Sequence, residues 1–374
     1  MRRRALAFLL TAAAVSVTAM ADMRDPAIEM LPTLGGDASF PTAVNDRGQV
    51  VGAAQTATGA FHAFLWDDGT TIDLAPGFAS STALDINDDG DVVVQRWIED
   101  DQPAESVLVS EGEIISLGAV DARFVNDRGQ VAGTVLNLDD PANPSVNPFV
   151  WDRGMRTDMG PIPDWEGRNS RIVDFNDRGA VLGIGLGPES FEVGFVWRSG
   201  RIEPVGDPRA FGGSGVVDIN DHGWVVGADF SSGAFIWDSG RLTYLGSVPG
   251  RGRSEPSAVN ERGEVAGMSG PAEEGVDRAF FWRKGGFAEV GPADGSSSRA
   301  VDLNDRGQVV GEFTRFDGAR ATPSVFLWED GAFTDLGASE DTGMNVTAIS
   351  EKGHVIGTVT NASGVRQAFL IALG

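Results

Sequence analysis

The sequence predicts an all-β fold, an eight-bladed β-propeller of four-stranded antiparallel blades, and three observations predict it. An Asn-acid-x-Gly tetrapeptide recurs seven times, with an eighth, degenerate copy, at nearly even spacing. Every repeat carries the same short apolar segments between turn residues. No stretch beyond residue 21 sustains a helical period.

The tetrapeptides begin at Asn45, Asn87, Asn126, Asn176, Asn220, Asn260 and Asn304, and the degenerate copy is Ser350-Glu351-Lys352-Gly353. Asn45 to Ser350 spans 305 residues in seven steps, about 44 per repeat, the length of a propeller blade. A short apolar strand precedes each turn (Thr42-Ala43-Val44, Leu84-Asp85-Ile86, Val217-Asp218-Ile219), and a second follows it (Val50-Val51-Gly52, Val131-Ala132-Gly133, Val309-Val310-Gly311). The third strand is aromatic: Phe64-Leu65-Trp66, Phe149-Val150-Trp151, Phe195-Val196-Trp197, Phe235-Ile236-Trp237, Phe281-Trp282 and Phe326-Leu327-Trp328. A second acid/Gly turn, such as Asp67-Asp68-Gly69, leads to a fourth strand ending in Leu-Gly or its equivalent. β-Branched and aromatic runs between Asn/Asp/Gly clusters are strands joined by hairpins, and Asn and Gly are expected there to supply positive φ. One such sheet is apolar on both faces and cannot bury itself, whereas radial stacking buries both.

The two ends predict closure. The last repeat stops at Phe369-Leu370-Ile371-Ala372-Leu373-Gly374, one strand short, and Glu29-Met30-Leu31-Pro32-Thr33-Leu34-Gly35 ends like every fourth strand. The N-terminal strand is expected to complete the last blade, making residues 22–374 a single domain.

Before it, Arg2, Arg3 and Arg4, an apolar run over residues 5–17 and Ala19-Met20-Ala21 form a signal peptide, residues 1–21. Export by the general or the twin-arginine route would place the chain in the periplasm or outside the cell. No cysteine is present, and a large repeat core needs no disulfide. Removing the leader leaves 26 basic against 54 acidic residues, a formal charge of −28. That balance argues against nucleic acid and anionic membrane surfaces as partners. No later segment is apolar enough to span a bilayer, and a monomer is expected.

Two repeats depart from the pattern: Val107-Leu108-Val109 and Phe369-Leu370-Ile371 replace the aromatic trio, with Trp97 expected to fill the gap in the second repeat. The recurring Phe and Trp read as inter-blade packing; Trp165, in a variable loop, and Trp224, after a hairpin turn, do not recur. Both hairpins of each blade lie on one face of the ring. The second-to-third and blade-to-blade connections lie on the other and vary, as in Asp139-Asp140-Pro141-Ala142-Asn143-Pro144. Function tends to sit on variable loops carried by a rigid frame, which makes Trp165, Arg171, Phe211, Arg251 and Arg253 the candidate binding residues.

Asp85, Asp174, Asp218 and Asp302 stand two residues before their turns, on the innermost strand, and could ring the central channel or cap their own turns. Asp85, Asn87 and Asp89 match the opening of a calcium loop, but the closing glutamate is missing and sister turns carry Arg178, His222 or Arg306 in the third position. Calcium is thus the one cofactor the sequence suggests. His62, His222 and His354 are expected in loops or turns of separate blades, and Tyr244 on a repeat strand. No thiol, G-x-S-x-G elbow or phosphate loop is present, and no catalytic residue is singled out.

The sequence resembles the bacterial HAF-type extracellular repeat family through His62-Ala63-Phe64, the partial copies Ala234-Phe235, Ala279-Phe280 and Ala368-Phe369, and the neighbouring Ile-Asn-Asp-x-Gly and Val-Gly elements. The resemblance covers nearly all of residues 22–374 and implies an exported repeat protein without an assigned reaction. The expected role is a non-catalytic module that binds a protein or a polysaccharide on the variable-loop face. The alternative is a carbohydrate-active enzyme, a glycoside hydrolase or lyase, with carboxylates near the channel.

Overall fold

The computed structural model describes residues 27–98, 105–138, 144–160, 162, 169–187, 192–206, 214–229, 232–273, 275–318, 320–337 and 343–373. The proposed leader, residues 1–21, lies outside the described residues. Eight four-stranded antiparallel sheets form the blades of a propeller. In chain order, blades one to seven cover residues 35–73, 80–118, 121–158, 170–204, 214–244, 251–290 and 298–335. Blade eight combines Gly343–Ile349, His354–Thr360 and Arg366–Ala372 with the N-terminal strand Ile28–Met30. That strand pairs Ile28 with Ile371 and Met30 with Phe369, so the ring closes through the chain start as the sequence predicts. No helix is found among the described residues.

The core is divided into eight apolar clusters, one at each seam between neighbouring blades. The closing seam is as well packed as the others: Leu31, Val50, Phe64, Trp66, Ile356 and Leu370 form one cluster, and the Ala368 N–H donates to Ser39 Oγ at 2.9 Å.

At the centre of seven blades a glycine faces a phenylalanine. Gly52, Gly133, Gly183, Gly227, Gly267, Gly311 and Gly357 pair with Phe64, Phe149, Phe195, Phe235, Phe280, Phe326 and Phe369. All seven rings are fully buried. A bulge in each innermost strand, for example between Ala122 and Phe124, bends the chain inward. A Cβ on Gly133 would then stand 2.3 Å from Asp121 O and 2.8 Å from the Phe149 ring. Blade two exchanges both members of the pair, setting Val94 against Val107. Two medium side chains there replace one absent and one large. The expectation that Trp97 fills this gap is not met: Trp97 sits half-buried at the far end of its strand, beside Ser80, and belongs to none of the seam clusters.

Candidate functional site

The two faces of the ring are built differently, and the repeated turns explain the first. In each Asn-acid-x-Gly turn only the glycine takes positive φ, as at Gly48 (77°) and Gly90 (87°). The asparagine does not supply positive φ, contrary to the sequence expectation; its side chain joins the blades. Asn45 Oδ1 accepts from the Arg47 and Gln49 N–H groups of its own turn, while Asn45 Nδ2 donates to Asn87 O in the next blade at 3.0 Å. The same inter-blade bond runs from Asn87 to Asn126, then through Asn176, Asn220, Asn260 and Asn304 to Ser350 O. Ser350 has no amide to continue the series. His354, four residues on, bonds the Asn45 backbone instead and receives Ser350 Oγ at 3.2 Å from its Nδ1. Burial holds this imidazole below its usual pKa.

A second ring runs beside the first. The N–H of each acid following the asparagine donates to the acid of the next blade, from Asp46 to Asp88 Oδ1 (2.8 Å) around to Asp305 and Glu351 Oε2 (2.7 Å). Lys352 N–H closes the circle on Asp46 Oδ1 at 3.0 Å. Burial, reinforced by the neighbouring carboxylates, raises Asp177, lifts Asp127 to about 6 and lifts Glu351 to about 7.

Asp85, Asp174, Asp218 and Asp302, on the first strand of their blades, act as inter-blade struts. Each of Asp85, Asp174 and Asp302 accepts from the next residue's N–H with one oxygen and from the following blade with the other: Val125, Ile219 and Ile349 N–H at 2.9–3.0 Å. Asp218 accepts from Val259 N–H at 2.7 Å. Desolvation by the enclosing blades lifts Asp85 to about 7, and Asp302 and Asp218 also rise. Asp174 adds repulsion to all three, after burial, which is the largest cause in each case.

The suggested calcium triplet is spread over different surroundings. Asp85 has both oxygens bonded to backbone N–H groups, Asn87 sits in the amide ring, and Asp89 lines a surface cavity with Asp91, Asp127 and Asp152.

His62 lies on a strand, not in a loop or turn: its Nδ1 pairs with Asp73 Oδ2 at 2.8 Å and its Nε2 with Phe78 O at 3.1 Å. The histidine of the His-Ala-Phe tripeptide thus fastens the fourth strand and the crossover to the next blade. Arg278 does the same in blade six, bonding Glu289, Ser296 O and Pro292 O while almost fully buried. His354 likewise opens a strand, and His222 remains on its turn, stacked on Trp224 and 2.6 Å from Glu261. Tyr244 ends the outer strand of blade five and donates to Asp229 at 2.6 Å.

Among the described residues the variable-loop face has no such rings. Its connections end instead in exposed apolar side chains: Ile98 in blade two, Leu136 and Leu138 in blade three, Leu186 in blade four, Val276 in blade six and Phe316 in blade seven. Phe316 rides on the longest hairpin, whose pairing continues outward to Asp317 and Arg320. Of the candidate binding residues, Trp165 and Phe211 lie outside the described residues. Arg171 borders a cavity of about 400 Å³ with Ile184, Leu186 and Glu192. Arg251 is committed to Glu289 (2.9 Å) and Val276 O (3.0 Å), and Arg253 stands 3.7 Å from Glu255. Arg171 therefore belongs to blade four and the other two arginines to blade six.

No family model matches the chain, and no curated protein sequence matches it. Its fold is similar to solved propellers at low identity. The β-propeller domain of the Trilobed protease from Pyrococcus furiosus aligns at 13% identity and a TM-score of 0.51, over 77% of this chain and 94% of that one. One of two prolyl endopeptidases aligns at 13% and 0.58, over 88% and 55%. A post-proline cleaving enzyme from Rickettsia typhi aligns at 9% and 0.53, over 85% and 57%. The chain spans little more than half the length of these last two enzymes, and the likeness shows a β-propeller.

Proposed function

We propose that this chain is an exported, non-catalytic binding module that holds a protein or polysaccharide on its variable-loop face. The observation that carries this reading is the set of exposed apolar side chains that five blades contribute to that one face; Met155, Ile114 and Ile72, on the outer strands, are exposed as well. Exposed apolar clusters on a rigid scaffold mark interaction surfaces. The resemblance to HAF-type repeats supports export. The alternative, a glycoside hydrolase or lyase, would rest on carboxylates near the channel such as Asp174 and Asp218, three of whose four oxygens are engaged by backbone N–H groups.

The test is binding by the purified chain to a panel of polysaccharides and cell-envelope proteins, followed by thermal shift and titration. A variant carrying Ile98→Ser, Leu136→Ser, Leu138→Ser and Phe316→Ser should lose binding and keep its melting temperature. Retained binding would refute the assignment of the face. Polysaccharide turnover abolished by Asp174→Asn, with the fold kept, would establish the enzyme reading instead.

A further inference from the structure

On the hairpin face, the seam between blades six and seven opens into a groove of about 460 Å³ bounded by all four hairpin turns of the two blades. Its volume falls in the range of small-molecule sites. Three guanidinium groups border it. Arg262 is held on Glu264 at 2.6 Å, and Arg283 reaches the same carboxylate only at 3.9 Å. Arg306, an exposed residue that also lines the groove, makes no ion pair or side-chain hydrogen bond among the described residues. In a chain with a formal charge of −25, such a concentration of arginine is a local exception.

The homologous groove between blades two and three shows that the frame does not demand it. There the lining is Asp89, Asp91, Asp127, Asp152, Arg128 and Arg153, and the turn position that Arg262 fills is an acid, Asp89.

We infer that the groove between blades six and seven is a binding site for a carboxylate-bearing sugar ring, free or within a polysaccharide. Arg306 and Arg283 offer fork donors to the carboxylate. Asp330, also in the lining, is an acceptor for the hydroxyl donors of a sugar and repels an inorganic anion or a polyphosphate. The Phe281 and Trp328 rings, 4.8 Å apart between centroids in this seam, supply an apolar floor for the C–H face of the ring. This site lies on the face opposite the apolar tips and is independent of them.

Calorimetric titration of the full chain with trigalacturonate, galacturonate, a neutral galactose trimer and sodium sulfate, at constant ionic strength, tests the inference. Saturable binding of an acidic sugar is expected, weakened about tenfold or more by Arg306→Gln and unchanged by Arg128→Gln in the homologous groove. Tighter binding of the trimer than of the monomer would identify a polysaccharide as the source, and equal binding a free sugar acid. The variable-face variant with four serine substitutions should bind as the parent does, which separates this site from the proposed docking face. Absence of acidic-sugar binding, equal binding of sulfate or of the neutral trimer, or equal loss in Arg128→Gln would overturn it.

Discussion

The hairpin face and the variable-loop face are built on the same strands, yet one is locked and the other is not. On the hairpin face two rings of hydrogen bonds join every blade to the next, and the same residue types recur at the same positions. On the variable-loop face the connections differ from blade to blade and several end in exposed Ile, Leu or Phe. The difference teaches that the repeat is a device for joining blades, and that side chains released from that duty are where this chain can specialise.

The largest expected effect comes from breaking the frame that both faces share. Gly133→Val should destabilise by more than about 4 kcal/mol or prevent folding, because the new side chain meets Asp121 O and the Phe149 ring. Blade two offers the converse. Val107→Phe alone should cost about 1–3 kcal/mol from overpacking, and adding Val94→Gly should recover most of it. Denaturant unfolding of the single and double variants would show this as a coupling; strict additivity would mean that the exchange in blade two is not compensatory.

Next in size is the amide ring. Asn176→Ala removes the bond to Asn220 O and leaves the Arg178 and Ala180 N–H groups without their acceptor, in a buried position. A loss of about 3 kcal/mol is expected, whereas exposed Arg178→Ala in the same turn should cost within about 0.5 kcal/mol.

The carboxylate rings set a pH dependence. The folded-state pKa values of Asp85, Asp127, Asp177, Asp218, Asp302 and Glu351 are all raised, so ionisation is harder in the folded chain than in the unfolded one. Their stabilising contribution is full below the unfolded value near about pH 4 and is lost as pH rises through the folded values. Those are about 6 for Asp127 and about 7 for Asp85 and Glu351. Glu105 and Glu289 are lowered by their hydroxyl and arginine partners and act in the opposite sense under more acidic conditions. Calorimetry should therefore find a higher melting temperature near pH 5 than near pH 8; a flat or rising profile over that interval would contradict it.

The smallest effect is expected on the variable-loop face. Phe316→Ser should change stability within about 0.5 kcal/mol, because the side chain is 56% exposed. A large loss measured by the same denaturant series would mean that the tip belongs to the frame.

Much of this architecture was legible in one dimension. A turn repeated every 44 residues or so, alternating with aromatic strands, specifies blades, since each sheet has two apolar faces and must stack. The short last repeat and the extra first strand specified closure, and the pairing of Ile28 with Ile371 realises it. The role of Asn was misread as a backbone preference because its bonds run to a carbonyl about 40 residues away, a partner that no local pattern displays. His62 was misplaced for the same reason: its partners, Asp73 and Phe78 O, become neighbours only when the fourth strand returns.

The sequence by itself determined the repeat, the strand order and the chain's acidity, because these follow from turn chemistry, hydrophobic period and composition. Tertiary structure alone decided which of many carboxylates lose their water, and it brought Arg262, Arg283 and Arg306 from two blades to one groove. Desolvation and charge balance depend on what a neighbouring blade brings within a few ångströms, and ring closure, not adjacency in the chain, sets that distance.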